Sequence, residues 1–214
     1  MNEELSIGTP PTKKEKIKIF LLENKKKIIF LVSSFILLLF GYLGFKEFQK
    51  KQKLEISNMY NKAIIQYSKD SKTLTMDVLV KIINKKDPTY SPLSLYFIIE
   101  NKITLEKKII NELFDILIKK TQLDKEIKNL IVYKKALFNS DEISENELLD
   151  ILNPIINSES VWKSHSLYLI AEYFYSKDQM QKSKEFYEKI LSLNDANQDL
   201  LKKAQKRLNR DLSD

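Results

Sequence analysis

The heptapeptide NELFDIL, Asn111 to Leu117, returns thirty-five residues later as NELLDIL, Asn146 to Leu152. A recurrence at that interval constrains the fold more than any other feature, because periods of about 20–50 residues mark chains that stack one supersecondary unit. Counting back 34 residues from Asn111 reaches DVLVKII, which keeps apolar side chains at the same places, Leu79, Val80, Ile82 and Ile83. A second landmark recurs in step: Tyr60-x-x-Ala63, Tyr96-x-x-Ile99, Tyr133-x-x-Ala136 and Tyr168-x-x-Ala171, at intervals of 36, 37 and 35. Within NELFDIL, the residues Leu113, Phe114, Ile116 and Leu117 fall on one side of a helix. A lone helix pair cannot bury such a stripe on both partners, whereas stacked pairs can.

The breaks between these runs fall at turn-forming residues. Asp87-Pro88 precedes Ser91-Pro92, which predicts Ser91 as an N-cap and Pro92 at the first helical position, where a missing N–H is harmless. Ser140-Asp141 and Ser176 to Asp178 separate further runs, and Ser144 with Glu147 gives a capping-box pattern ahead of NELLDIL. No stretch alternates apolar and polar residues as a half-buried strand does. The expectation is an all-α chain, with a helical-repeat domain of about four helix pairs over 46–197 and a polar amphipathic helix over 198–214 as its terminal cap. At 214 residues and 43% apolar content, the chain has material for such a core.

The last pair, HSLYLIAEYFYSKDQMQKSKEFYEKILSLND, resembles the tetratricopeptide repeat. Ala171 and Phe174 stand at that repeat's small and aromatic positions in the first helix, and Ser183 and Tyr187 match A-x-x-x-F in the second. Leu167 and Asp195 replace its usual Trp and Pro. First helices of such arrays line the concave face, so the resemblance implies a protein-binding groove facing His165, Tyr168, Glu172 and Tyr175, with Tyr60, Tyr96 and Tyr133 recurring at the Tyr168 position. Tyrosines there supply broad contacts to extended polypeptides. Aromatic residues at helical spacing also pack between repeats, and the sequence leaves both roles open. Trp162, opening this pair, is expected to be a packing anchor.

Ahead of the repeats runs IIFLVSSFILLLFGYLGF, Ile28 to Phe45, eighteen residues without a charge between Lys25, Lys26, Lys27 and Lys46. At about 1.5 Å per residue it reaches about 27 Å, close to the hydrocarbon thickness of a bilayer. A buried core helix normally keeps a polar face, but here only serine and glycine interrupt the run, so residues 28–45 are predicted to be a transmembrane helix. Paired small residues for signal-peptide cleavage are missing at its far end, and the anchor is expected to stay. Seven lysines in residues 13–27 outnumber Lys46, Lys50, Lys51 and Lys53, which by the positive-inside rule puts the lysine-rich tail, 1–27, in the cytoplasm and the repeats across the membrane. Ser34, Gly41 and Gly44, spaced seven and three apart, form a stripe that either admits a neighbouring transmembrane helix or is merely tolerated.

Charge and chemistry narrow the function. The formal net charge of +7 divides into +3 over residues 1–45, seven lysines against four glutamates, and +4 over the remainder, a diffuse excess that argues against nucleic acid. Without cysteine the chain has no disulfide, thiolate catalysis or Cys-ligated metal. His165, the only histidine, has no companion ligand and is expected to face solvent if it does not face the groove. There is no Gly-rich phosphate loop, nucleophile elbow or HExxH. The expectation is a non-enzymatic membrane protein with no cofactor, metal or small-molecule substrate.

A lysine-rich tail, one uncleaved span and about four degenerate helix pairs together resemble the bacterial family of ancillary Sec translocon subunits. The resemblance covers nearly the whole chain and is carried by ENKKKIIFLVSSFILLLFGYLGFKEFQKKQ leading into the Tyr60/Ala63 helix, by YSPLSLYFI, and by LLDILNPIINSESVWKSHSLYLIAEYFYSKDQMQKSKEFYEKIL. It implies a single-pass inner-membrane protein whose periplasmic domain helps chaperones receive chains emerging from the translocon. Its partners would be Sec translocon subunits, a periplasmic chaperone or the secreted chains themselves. Two other readings fit the same residues: a scaffold for another envelope complex, such as cell division, outer-membrane assembly or cytochrome maturation, and, with inverted topology, a cytoplasm-facing nucleic-acid or regulatory binder.

Overall fold

A computed structural model describes residues 13–68 and 71–212. Among these residues there are ten α-helices and no strand: α1 Lys13–Glu23, α2 Lys25–Ile65, α3 Lys72–Asn84, α4 Tyr90–Glu100, α5 Lys107–Lys120, α6 Lys125–Asn139, α7 Glu145–Ile156, α8 Lys163–Ser176, α9 Met180–Leu191 and α10 Gln198–Asp211. The chain divides into two compact units, one ending at Leu54 and the other beginning at Glu55.

In the first unit, α1 lies within what the sequence suggested only as a tail. The long helix α2 carries an eighteen-residue window of mean hydropathy 2.5, none of it buried, so among the described residues there is one helix long and apolar enough to cross a membrane. Side chains such as Phe30, Leu37, Leu38 and Phe40 are fully presented outward. An added Cβ at Gly41 or Gly44 would meet nothing within 4 Å, so the two glycines of the stripe are open among the described residues, while Ser34 is partly buried.

In the second unit, each helix from α3 onward packs on the next, and α3 also reaches α5, α6 reaches α8 and α8 reaches α10. Contacts confined to neighbours and next neighbours are the pattern of stacked helix pairs. In the order of the sequence pairs, the end of α2 precedes α3, α4 precedes α5, α6 precedes α7 and α8 precedes α9, followed by α10; the closest packing is of α8 on α9 and of α3 on α4, and the end of α2 enters the core through Ile56 and Ala63. Their apolar stripes join in three overlapping clusters: one from Ile56 to Ile131, one from Ala136 to Phe174, and one from Leu167 to Leu212. Because α6 and α8 each contribute to two clusters, the core is a continuous ribbon. The repeated motif sets this packing directly, since Leu79, Leu113 and Leu148 at one position, and Ile83, Leu117 and Leu152 four residues on, are all buried.

Local signals hold the turns. Ser144 accepts from the Glu147 N–H while Glu147 reaches back to the Ser144 N–H, the capping box expected from sequence. The predicted cap at Ser91 is corrected: α4 starts at Tyr90, and Asp87 Oδ1 accepts from the Thr89 and Tyr90 N–H groups at 2.9 and 2.7 Å. Ser91 is buried and gives its hydroxyl to the Ile82 carbonyl at 3.0 Å, tying α4 to α3. Pro92 therefore sits at the third residue of α4 rather than at its first, still in the first turn where the backbone N–H has no helical acceptor. Three helix ends adopt the left-handed conformation without glycine, at Lys86 (φ 57°), Lys102 (φ 48°) and Asp178 (φ 57°). After Lys102 the Ile103 N–H bonds the Ile98 carbonyl, and after Asp178 the Gln179 N–H bonds that of Phe174, closing two Schellman turns.

Candidate functional site

The close approach of α8 and α9 follows from two small residues, both fully buried. Ser183 donates to the Ala171 carbonyl at 2.9 Å, in place of a side-chain contact that would hold the helices further apart. With Ala171 facing α9, the residues His165, Tyr168, Glu172 and Tyr175 share another, half-buried side of α8.

Three of these four converge. Glu172 accepts from Arg207 of α10 through both oxygens, at 3.0 Å from Nε and 2.8 Å from Nη2, and from the Tyr187 hydroxyl of α9 at 2.5 Å. Tyr168 also donates to Glu172, and the Arg207 guanidinium lies 4.6 Å from the centre of the Tyr175 ring. Arg207 completes its donors on Asp211 at 2.9 Å, which Arg210 also grips. Burial pushes the Glu172 carboxyl up, but the Tyr187, Arg207 and Tyr168 donors outweigh it and hold the group below its ordinary range. Tyr187 is raised by burial and then by its bond to Glu172, and Arg207 by Glu172 and Asp211. A bidentate arginine pair of this kind fixes direction as well as distance, so it seats α10 on α8.

His165 belongs to a different group. It is half-buried, with its ring 5.9 Å from Tyr133 and 5.0 Å from Trp162, and Trp162 stacks on Tyr133 at 6.0 Å with 20° between planes. This corrects the solvent-facing expectation: burial lowers its pKa, the Val161 carbonyl partly offsets that, and Lys203 lowers it further.

The tyrosine series follows one rule. Each member leans on the next first helix along the stack. Tyr60 meets the Tyr90 ring of α4 at 5.6 Å, Tyr96 lies under Lys134 of α6 at 4.8 Å, Tyr133 stacks on Trp162 at the start of α8, and Tyr168 meets Arg207 of α10. The contact is aromatic for Tyr60 and Tyr133 and the Lys134 ammonium for Tyr96, while Tyr168 reaches Arg207 through its hydroxyl. All four rings stay half-buried, and burial raises the pKa of each, that of Tyr96 to about 12. The structure thus brings Tyr133 to His165, and Tyr168 to Glu172 and Tyr175, while Tyr60 and Tyr96 stand in separate repeats. Beside Tyr96 a cavity of about 240 Å³ opens between α4, α5 and α6, with Phe114, Leu137 and Phe138 in its wall.

Arg207 was not singled out from sequence, and Tyr187 was read only as the aromatic of the repeat's second helix, not as a partner of Glu172. The signal for Arg207 was present, since it lies 35 residues after Glu172, one repeat period, at the same register of the next helix. A scan against protein-family models and searches of curated proteins and of solved structures gave no match to this chain.

Proposed function

We propose that this chain is a single-pass inner-membrane adaptor, with its lysine-rich tail in the cytoplasm and its helical stack in the periplasm, where it engages the Sec translocon and the chaperones or chains around it. It performs no chemistry of its own. The observation that carries the reading is α2: eighteen consecutive uncharged, mostly apolar residues, none of them buried among the described residues, on a chain whose helices from α3 onward stack one on the next. Such an arrangement suits tethering. Confinement to the membrane plane raises the effective concentration of even a weak binder near other membrane components. The resemblance to ancillary translocon subunits supports the choice of partner, and the half-buried tyrosine series supports an extended polypeptide as what the stack meets.

The test is photocrosslinking in cells from Ser34 and Gly41, followed by purification of the native protein in mild detergent. Recovery of translocon subunits is the expected result. Recovery of another envelope complex with the translocon absent would transfer the function to the scaffold reading. Sidedness is checked separately: the chain has no cysteine, so Asn194→Cys carries a unique thiol, which a membrane-impermeant reagent should label only from the periplasmic side.

A further inference from the structure

The helix α10 sets Lys203, Lys206, Arg207 and Arg210 at spacings of three and four, along one side. With Tyr168 of α8 these four line a recess of about 140 Å³. Two of the cations are already engaged, Arg207 by Glu172 and Asp211, and Arg210 by Asp211. Lys203 and Lys206 have no carboxylate partner among the described residues, and the charge of Lys203 bears on His165. The recess therefore holds two uncompensated charges beside a tyrosine ring, at the end of the tyrosine series. Neither lysine takes part in the packing of α10: both are exposed, and its buried residues are Leu200 and Ala204.

We propose that this recess docks an acidic, extended segment of a partner polypeptide, with Lys203 and Lys206 taking carboxylates and Tyr168 contacting the residue between them. Spacing favours this occupant. Side chains three apart on a helix stand about 5–6 Å apart. Side chains two apart on an extended chain stand about 6.6 Å apart on the same face. Alternate carboxylates of an extended segment thus meet both lysines in register. The proposal rests on the stack being a protein-binding surface and adds the chemistry of what it binds.

The test uses the full chain in detergent micelles and a fluorescein-labelled peptide of alternating glutamate and serine. Binding should weaken at least tenfold in Lys203→Glu/Lys206→Glu and fall as salt rises. The control Lys108→Glu/Lys128→Glu makes the same change in net charge on exposed positions of α5 and α6, and should leave binding intact. Equal loss in both variants, or no binding to the wild-type chain, overturns the proposal. So does binding of a short-chain phosphatidylglycerol at Lys203 and Lys206 in place of the peptide, which would assign the recess to lipid. Circular dichroism melts of both variants exclude misfolding as the cause. Photocrosslinks from Ser34 and Gly41 in the Lys203→Glu/Lys206→Glu background keep the outcomes separate: if they persist while the peptide fails to bind, the adaptor reading stands and only the acidic-segment proposal falls.

Discussion

The two copies of the opening heptapeptide differ in what their first residue does, and that difference is measurable. In α5, Asn111 and Asn139 of α6 exchange amide hydrogen bonds, at 2.9 Å from Asn111 and 2.8 Å from Asn139, and Asn139 is only 8% exposed. Asn146, at the same place in α7, is exposed. Replacing Asn111 with alanine removes two neutral bonds worth about 0.5–1.5 kcal/mol each and leaves the buried Asn139 carbonyl without its donor, so the loss should be about 2 kcal/mol. Asn139 keeps its bond to the Lys135 carbonyl at 2.8 Å, which limits the damage. Asn146→Ala should stay within about 0.5 kcal/mol. For a domain of this size, 2 kcal/mol lowers the melting temperature by about 4–8 °C. The assay is thermal and urea unfolding of the full chain in detergent, followed by far-ultraviolet circular dichroism and by fluorescence of Trp162, the only tryptophan. Equal losses at Asn111 and Asn146 would refute the reasoning, because identical motifs would then contribute through helix propensity and not through partners. Asn111→Ala/Asn139→Ala should cost less than the sum of its parts, since no buried carbonyl is then orphaned.

Other expectations follow from the same geometry. Leu117→Ala and Leu152→Ala, both fully buried at one motif position, should each cost about 2–5 kcal/mol in urea titrations. Lys102→Gly should raise stability by about 0.5–1 kcal/mol, because a side chain in the left-handed region carries a steric penalty that glycine lacks. Burial holds His165 below the ordinary histidine value, so the unfolded chain binds more protons than the native one between that lowered value and about pH 6.5. Stability should therefore be full above about pH 6.5 and decline as the pH falls through the window, and His165→Gln should remove that decline in unfolding curves compared across it. The Tyr96 hydroxyl is buried with no hydrogen-bond partner, so Tyr96→Phe should leave the melting temperature unchanged or raise it.

What the sequence revealed depended on how far apart the interacting residues lie. The capping box of Ser144 and Glu147 was legible because both partners fall within one helical turn. The four helix pairs were legible because the apolar stripe repeats, and a repeated stripe has few ways to be buried. The cap before α4 was misread for a physical reason: Ser91 has the right chemistry for an N-cap, but the Lys86 turn places Asp87 nearer the free N–H groups and points Ser91 into α3. The Glu172 to Arg207 pair was missed because Arg207 stands in a helix that looked merely polar, and a charge's partner cannot be chosen until the fold has brought one near. The same limit applied to His165, whose aromatic neighbours come from 32 residues back and three residues back along the chain.

If the tyrosine series meets a partner, as proposed, stability and recognition share residues in this stack. Each tyrosine is engaged by the next first helix, three through the ring and Tyr168 through its hydroxyl, and stays half-buried, so a tyrosine that meets a partner is also one that holds two repeats in register. Alanine at Tyr133 or Tyr168 would remove both at once. Loss of partner binding in those variants is then uninformative unless helicity and melting temperature are unchanged. Phenylalanine separates the two: it keeps the ring against Trp162 at position 133, or against Tyr187 at position 168, and deletes only the hydroxyl. At Tyr168 the deleted group is one of several donors to Glu172, whose bidentate bond to Arg207 remains. Tyr168→Phe should leave α10 seated and the fold intact. If the series contacts polypeptide through its ring surfaces, photocrosslinking from a neighbouring exposed position, Lys203, should still capture the partner in Tyr168→Phe and lose it in Tyr168→Ala. Capture that survives Tyr168→Ala would confine this tyrosine to packing and move recognition to the lysines beside it.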